Sequence, residues 1–307
     1  MNNYPGGVYP VMLTPMTSKG EIDEQGLRAL IEWYLENGVN GLFASCQSSE
    51  IYKMNFEERM EIARITVDQV KGRVPVVASG HTSDDFEEQV RELNTMAETG
   101  VNAVITITNH AARADESDAV WMKNMDRLLD RIDPAVHLGA YECPTPYKRL
   151  MSPEMIHHIA ETNRFYFLKD TCCDAATIRE KLAAIEGTNL KLFNANTTTL
   201  LQSMRDGAPG YSGIMANFHP ELYVWLCNNI HHPNADKVQQ VLSIASLIER
   251  QLYPVNAKYH LRYNGIRATL VTRSKDDALW NDTFAAEVDQ LHLLEDYARA
   301  QLGLEKR

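Results

Sequence analysis

Residues 74–108 read VPVVASGHTSDDFEEQVRELNTMAETGVNAVITIT, and this stretch holds the repeating unit of the chain. It opens on an apolar run, Val74 to Gly80, and closes on another, Ala103 to Thr108. Between them Val90, Leu93 and Met96 recur at helical spacing ahead of Gly100, a residue suited to stop a helix. The unit is strand, helix, strand. The same alternation extends in both directions, with apolar runs at 7–15 (GVYPVMLTP), 41–45 (GLFAS), 137–143 (HLGAYEC), 165–171 (FYFLKDT), 190–195 (LKLFNA) and 210–216 (GYSGIMA), so that there are eight in all. Leu27, Leu30, Ile31, Tyr34 and Leu35 mark one face of a first helix that Asn37-Gly38 ends. Ser152-Pro153-Glu154 supplies an N-cap with proline at the first helical position, and Gly207 is a further stop. Nearly continuous apolar runs belong to parallel strands buried on both faces, and eight strand-helix units are the number that closes such a sheet. The pattern predicts an α/β fold, a (β/α)8 TIM barrel over residues 1–230, its last helix starting near Pro220-Glu221. Residues 231–307, with Asn234 and Asp236 as start signals, are predicted to add two or three helices packed on the barrel, because no linker rich in Gly, Ser or Pro releases them.

Composition narrows the function. The 307 residues are 44% hydrophobic, enough for a large core. Lys and Arg number 30 against 41 Asp and Glu, a formal net charge of −11, which disfavours a nucleic-acid partner. No run approaches the roughly 20 apolar residues that span a bilayer, and Met1-Asn2-Asn3-Tyr4-Pro5 lacks the basic-then-apolar order of an export signal. A cytoplasmic protein without a membrane partner is expected. Cys46, Cys143, Cys172, Cys173 and Cys227 are odd in number and never spaced Cys-x-x-Cys, so reduced thiols are expected rather than disulfides or a zinc knuckle.

In such barrels the chemistry sits where strands end. Four ends stand out: Thr14-Pro15, Ser45-Cys46-Gln47-Ser48-Ser49-Glu50, Tyr141-Glu142-Cys143-Pro144 and Lys169-Asp170. Lys169 closes a strand otherwise too apolar to carry a charge. Burial disfavours an ammonium, so its pKa should fall from about 10.4 towards 7, leaving an amine able to attack a carbonyl and form an iminium. The alternatives are a lysine that snorkels to solvent or pairs with Asp170. Strand alternation puts Phe167 on the inward face with Lys169, and Leu168 and Tyr166 towards the helices. On the adjacent strand Tyr141 would share the inward face with Gly139 and His137, about 4.8 Å away, where a phenol could shuttle protons. The Cys46 to Glu50 loop offers consecutive N–H groups able to hold a carboxylate, or else Ser48 or Ser49 caps the next helix.

These residues together resemble the dihydrodipicolinate synthase and N-acetylneuraminate lyase family of class I, Schiff-base-forming barrels. The likeness runs through Thr14-Pro15, Lys19-Gly20-Glu21-Ile22-Asp23, the Cys46-Gln47-Ser48-Ser49-Glu50 loop where the family has Gly-Thr-Thr-Gly-Glu, Tyr141-x-x-Pro144 and Lys169-Asp170. The resemblance implies Lys169 as the Schiff-base lysine, Tyr141 as the proton shuttle, and Gln47 and Ser48 as the grip on a 2-oxo acid's carboxylate. It implies a pyruvate-handling lyase, aldolase or dehydratase, a homotetramer, and no metal or organic cofactor. Departures bear on substrate. Pro146 stands where dihydrodipicolinate-forming members have a carboxylate-binding arginine, so that reaction is disfavoured unless Lys148 or Arg149 reaches in. His110-Ala111 replaces a tyrosine pair, and His110 could rebuild the relay. Glu142 adds a carboxylate beside the shuttle tyrosine, aimed either into the site or at a surface partner.

Thr14 and Ser212 are further candidates for contacting substrate, with Asn194, Asn196 and Thr197 behind them. Glu154-x-x-His157 is read as a solvated helix face rather than a metal pair, His231-His232 as loop, and Cys172-Cys173 as rim. Besides a lyase, the altered loop allows a 2-oxo-acid-binding or assembly protein that has lost turnover. A phosphate-handling isomerase would need a glycine-rich loop that Asn194-Ala195-Asn196 does not provide.

Overall fold

The computed structural model describes residues 4–303, leaving Met1 to Asn3, read above for an export signal, outside. Among these residues eight parallel strands, β1 (Gly7–Val8), β2 (Leu42–Phe43), β3 (Val76–Ser79), β4 (Ala103–Ile107), β5 (Leu138–Tyr141), β6 (Phe165–Asp170), β7 (Lys191–Asn194) and β8 (Gly210–Tyr211), follow one another around a sheet. β1 pairs with β8, and the ring closes where Val11 bridges Phe43. The fold is a TIM barrel with C-terminal helices. β1 is shorter than the apolar run at 7–15 because Pro10 has no N–H for the ladder. β8 is short too, and its Gly210 has no room for a side chain, since a Cβ there would lie 1.9 Å from the Gly7 carbonyl oxygen.

Each strand is followed by a helix. These are α1 (Glu24–Glu36), α2 (Phe56–Val70), α3 (Phe86–Ala97), α4 (Asp118–Leu129), α5 (Pro153–Glu161), α6 (Ala175–Ala184), α7 (Leu200–Arg205) and α8 (Pro220–Asn228). Side-chain caps set most of their starts: Asp23, Asn55, Asp85, Ser117, Ser152 and Asp174 each accept an N–H of the first turn. Gly38, Gly100 and Gly207 adopt positive φ at the ends, as anticipated for stops. Among the described residues three α-helices follow, α9 (Ala235–Ala245), α10 (Val255–His260) and α11 (Asp282–Leu302). Among the described residues, no helix is long and apolar enough to cross a membrane.

Two apolar shells form the core. The outer one lies between sheet and helices, and the inner one fills the barrel with Tyr9, Phe43, Phe167 and Phe193. Phe167 stacks on Phe193 at 4.6 Å and meets Phe43 edge-on at 5.8 Å, closing the lower barrel. Period-two alternation explains why Phe167 points in and Leu168 out. Tyr166 departs from it. The β5–β6 register jumps from Leu138 opposite Phe165 to Gly139 opposite Phe167, so Tyr166 is an extra residue that turns under the barrel and stacks on Tyr4 and His137 instead of facing the helices.

Candidate active site

Lys169 stands directly across the β5–β6 ladder from Tyr141, at the carboxyl end of both strands. It is 5% exposed, and its Nζ lies 4.2 Å from the centroid of the Tyr141 ring. Burial above the aromatic plug pulls the amine's pKa down, an effect that neighbouring Cys46, Cys143 and Glu249 only partly oppose. It neither snorkels nor pairs with Asp170. Tyr141 is itself buried, which holds its phenol well above the usual range, and its hydroxyl meets the Cys143 thiol. The amine therefore sits over the ring face rather than in line with the hydroxyl.

A cavity of about 480 Å³ opens above this pair. Gln47 and Ser48 line it from a short helical turn, Gln47–Ser49, whose leading N–H groups have no carbonyl partner within the turn. Gln47 donates from Nε2 to Thr145 Oγ1 at 2.8 Å, and the Ser48 side chain is hydrogen-bonded to Tyr253. Ser49 does not cap the next helix. Its Oγ lies 2.7 Å from the Ala44 carbonyl and 2.8 Å from that of Met12, tying the loop to the barrel, while Asn55 caps α2. Glu50 is held in the left-handed region at φ 69°, and its carboxylate accepts the backbone N–H groups of Arg273 and Ser274 at 2.7 Å.

Four residues read from the sequence as facing substrate lie elsewhere. Thr14 Oγ1 donates to the Ser49 carbonyl at 3.0 Å, so it props the loop from behind. Ser212 Oγ donates to the Tyr9 carbonyl at 2.9 Å inside the β8 edge. His110 lies off the cavity, 2.6 Å from Asp84 through Nδ1, and reaches it only through the Tyr52 hydroxyl at 3.3 Å. Glu142 is neither in the site nor on the surface. As the residue after inward-facing Tyr141 it points outward, where it and Asp170 each contact Lys181 Nζ of α6 at 2.5 Å, all three buried. Burial, reinforced by Asp170, raises the Glu142 pKa, and the two carboxylates outweigh burial to hold Lys181 up.

Of the remaining candidates, Asn196 and Cys173 reach the cavity, whereas Asn194 binds Thr199 and Ser203, and Thr197 is hydrogen-bonded to the buried hydroxyls of Tyr211 and Tyr223. Arg149 turns away to Asp118, but Lys148 lines the cavity, its Nζ donating to the Thr171 carbonyl. Among the wall residues that sequence reasoning missed are Tyr52, Thr145, Glu249 and Tyr253. Glu249 is the most consequential. Burial pushes its carboxyl up to about 7 against the pull of Lys169, and it makes no hydrogen bond or ion pair with the other described residues. Nothing local marks it, because only the packing of the segment between α9 and α10 over the barrel mouth brings it to the site.

Residues 4–275 match the family described as the dihydrodipicolinate synthetase family. The chain belongs to that family. Among curated relatives of the dihydrodipicolinate synthetase type, the 4-hydroxy-tetrahydrodipicolinate synthase of Coxiella burnetii is 24% identical over 266 residues, covering 85% of this chain and 88% of its own. The enzyme of that name from Methanocaldococcus jannaschii is 26% identical over 263 residues, covering 83% and 88%. Solved structures share the fold. YagE, a prophage protein of Escherichia coli K12 solved in complex with pyruvate, superposes with a TM-score of 0.83 at 21% identity, over 94% of this chain and 98% of its own. CdNal from Clostridium difficile, solved in complex with mannosamine, superposes at 0.82 and 18% identity with the same coverage.

Proposed function

We propose that this member of the dihydrodipicolinate synthetase family is a class I lyase that forms a Schiff base between Lys169 and a pyruvate unit. The observation that carries the reading is the buried Lys169 amine, its pKa lowered, at the floor of a cavity whose rim bears the Gln47–Ser49 turn. The substrate carboxylate binds at Gln47 and Ser48. The Lys169 lone pair adds to the C2 carbonyl, and the carbinolamine oxygen leaves as water after receiving a proton relayed by Tyr141, giving an iminium. In the cleavage direction the C3–C4 bond breaks, its electron pair moves into the iminium to give an enamine, and the proton of the C4 hydroxyl passes to Glu249. Condensation is the reverse, and in dehydration Glu249 takes a C3 proton from the iminium to give the enamine, whose electron pair expels the C4 hydroxyl as water with the proton that Glu249 returns.

Pro146 in the position of the family's carboxylate-binding arginine, with Arg149 tied to Asp118 and the cavity-lining Lys148 engaged by the Thr171 carbonyl, supports a second substrate other than the acidic semialdehyde of dihydrodipicolinate synthesis. A hydroxylated 2-oxo acid fits the polar wall of Thr145, Asn196 and Glu249 better. We place the enzyme in a homotetramer, in keeping with exposed Ile244, Leu247 and Leu279 on the C-terminal helices and turns. Domain limits of 1–230 and 231–307 belong to the same proposal.

The test is borohydride reduction in the presence of pyruvate, followed by intact mass and peptide mapping. An adduct confined to Lys169 is expected, and pyruvate binding without any adduct would instead favour a non-catalytic 2-oxo-acid-binding protein. Pyruvate release from a panel of deoxy sugar acids then identifies the substrate.

A further inference from the structure

On the side of the barrel where the last helix docks, three histidines from three helical segments converge around one carboxylate. His292 and Glu295 lie one turn apart on α11, His260 ends α10, and His219 precedes α8. Glu295 is 1% exposed. His260 Nε2 lies 3.0 Å from its carboxylate and His292 Nδ1 lies 3.3 Å away, while His219 Nδ1 takes the other oxygen at 2.7 Å. One donor atom each from His260, His292 and Glu295 falls within 4.8 Å of the other two, and all three residues are buried.

We propose that His260 Nε2, His292 Nδ1 and the Glu295 carboxylate form a structural site for a divalent transition ion of the zinc class. Two imidazoles and one carboxylate are borderline ligands that suit Zn²⁺, and the 3.0 and 3.3 Å separations of the two nitrogens from the carboxylate come near the roughly 3.4 Å edges of a tetrahedron with metal–ligand bonds of about 2.1 Å. The surroundings supply what such a site needs. Asp296 Oδ2 stands 3.5 Å from His292 Nε2, the nitrogen left over when Nδ1 binds metal, in the carboxylate–histidine arrangement that orients a ligand. The Tyr263 ring stacks on His292 at 4.0 Å and fixes its plane. Charge points the same way. With neutral imidazoles, the buried Glu295 carboxylate shares the guanidinium of Arg299, 3.5 Å away, with Glu221 and Asp296, so a cation held at the cluster adds to its compensation. The alternative source of positive charge is a proton on the histidines. Ligation would pin α11 to α10, whose start directly follows the cavity-lining Tyr253-Pro254, so the ion would also brace one wall of the active site.

The chain is produced without a polyhistidine tag in zinc-supplemented medium, and its metal content is measured alongside that of His292→Ala. About one Zn²⁺ per chain is expected in the parent protein, falling at least tenfold in the variant. Zinc X-ray absorption of the parent protein gives a second readout that survives misfolding of the variant, and a shell of nitrogen and oxygen with two imidazoles is expected. Three results overturn the proposal: less than a tenth of an equivalent bound even after titration with ZnCl₂, undiminished metal in folded His292→Ala, or a sulfur shell, which would move the ion to the cysteines. The first would leave proton-bearing histidines as the counter-charges of Glu295.

Discussion

Lys169 and Tyr141 face each other across one rung of the barrel ladder, with the lysine nitrogen 4.2 Å above the centre of the tyrosine ring. The ring face is electron-rich, so this contact favours the ammonium while burial opposes it. Burial lowers the amine's pKa against the pull of Cys46, Cys143 and Glu249. Replacing Lys169 with arginine keeps the cation over the ring but cannot form the iminium. Turnover should fall by about a thousandfold or more and borohydride trapping with pyruvate should disappear. Lys169→Met should raise stability by about 1–3 kcal/mol, read by urea denaturation, since it removes a desolvated amine.

Tyr141→Phe separates the ring from the hydroxyl. The packing against Phe43, edge-on at 5.6 Å, is retained, so the melting temperature should move little. Iminium formation should slow by about 10²–10⁴-fold as the proton relay is lost, measured by single-turnover trapping. A rate equal to that of the parent protein would remove Tyr141 from the chemistry.

Glu249 predicts a pH signature of known sign. Its carboxyl rises from an ordinary 4.5 to about 7 on folding, so the native state holds the proton more tightly than the unfolded one. That contribution to stability is complete below pH 4.5 and is lost as pH rises through 7. Glu249→Gln carries no such loss, so its stability relative to the parent protein should increase between pH 4.5 and 7, by roughly 2 kcal/mol once partial solvent exposure is allowed for. A difference flat with pH would show that the carboxyl is not perturbed. The same variant should still trap pyruvate on Lys169 while losing turnover of the full substrate by about 10²–10⁴-fold.

The Lys181 site tests the outer face of the same two strands. Its ammonium lies between Glu142 and Asp170 with all three side chains fully buried, so Lys181→Met would strand two carboxylates in the core. A loss of about 3–5 kcal/mol is expected in chemical denaturation. Adding Glu142→Gln and Asp170→Asn should recover part of it.

The apolar runs, helix caps and stop glycines were enough to read the barrel, because burial on both faces of a parallel strand and capping of a helix start are local demands met by local residues. The same period-two logic put Lys169 and Tyr141 at neighbouring strand ends facing inward, and it also turns Glu142 and Asp170 away from the site, although Glu142 was read as a candidate. Tyr166 escaped that logic because a register shift breaks the alternation, and no residue signals the shift in advance.

Long-range contacts decided the rest. Whether Thr14 and Ser212 meet substrate or a neighbouring carbonyl depends on loops more than thirty and two hundred residues away in the chain, at Ser49 and Tyr9. Glu249 and Tyr253 belong to a segment whose polar groups have no meaning until it is laid over the barrel mouth, and His292 with Glu295 form half a cluster until α10 delivers His260. Periodicity records which side of an element is buried. Which partner buries it is set by the packing of elements distant in sequence, and in this protein that packing completes both the cavity above Lys169 and the histidine cluster beside it.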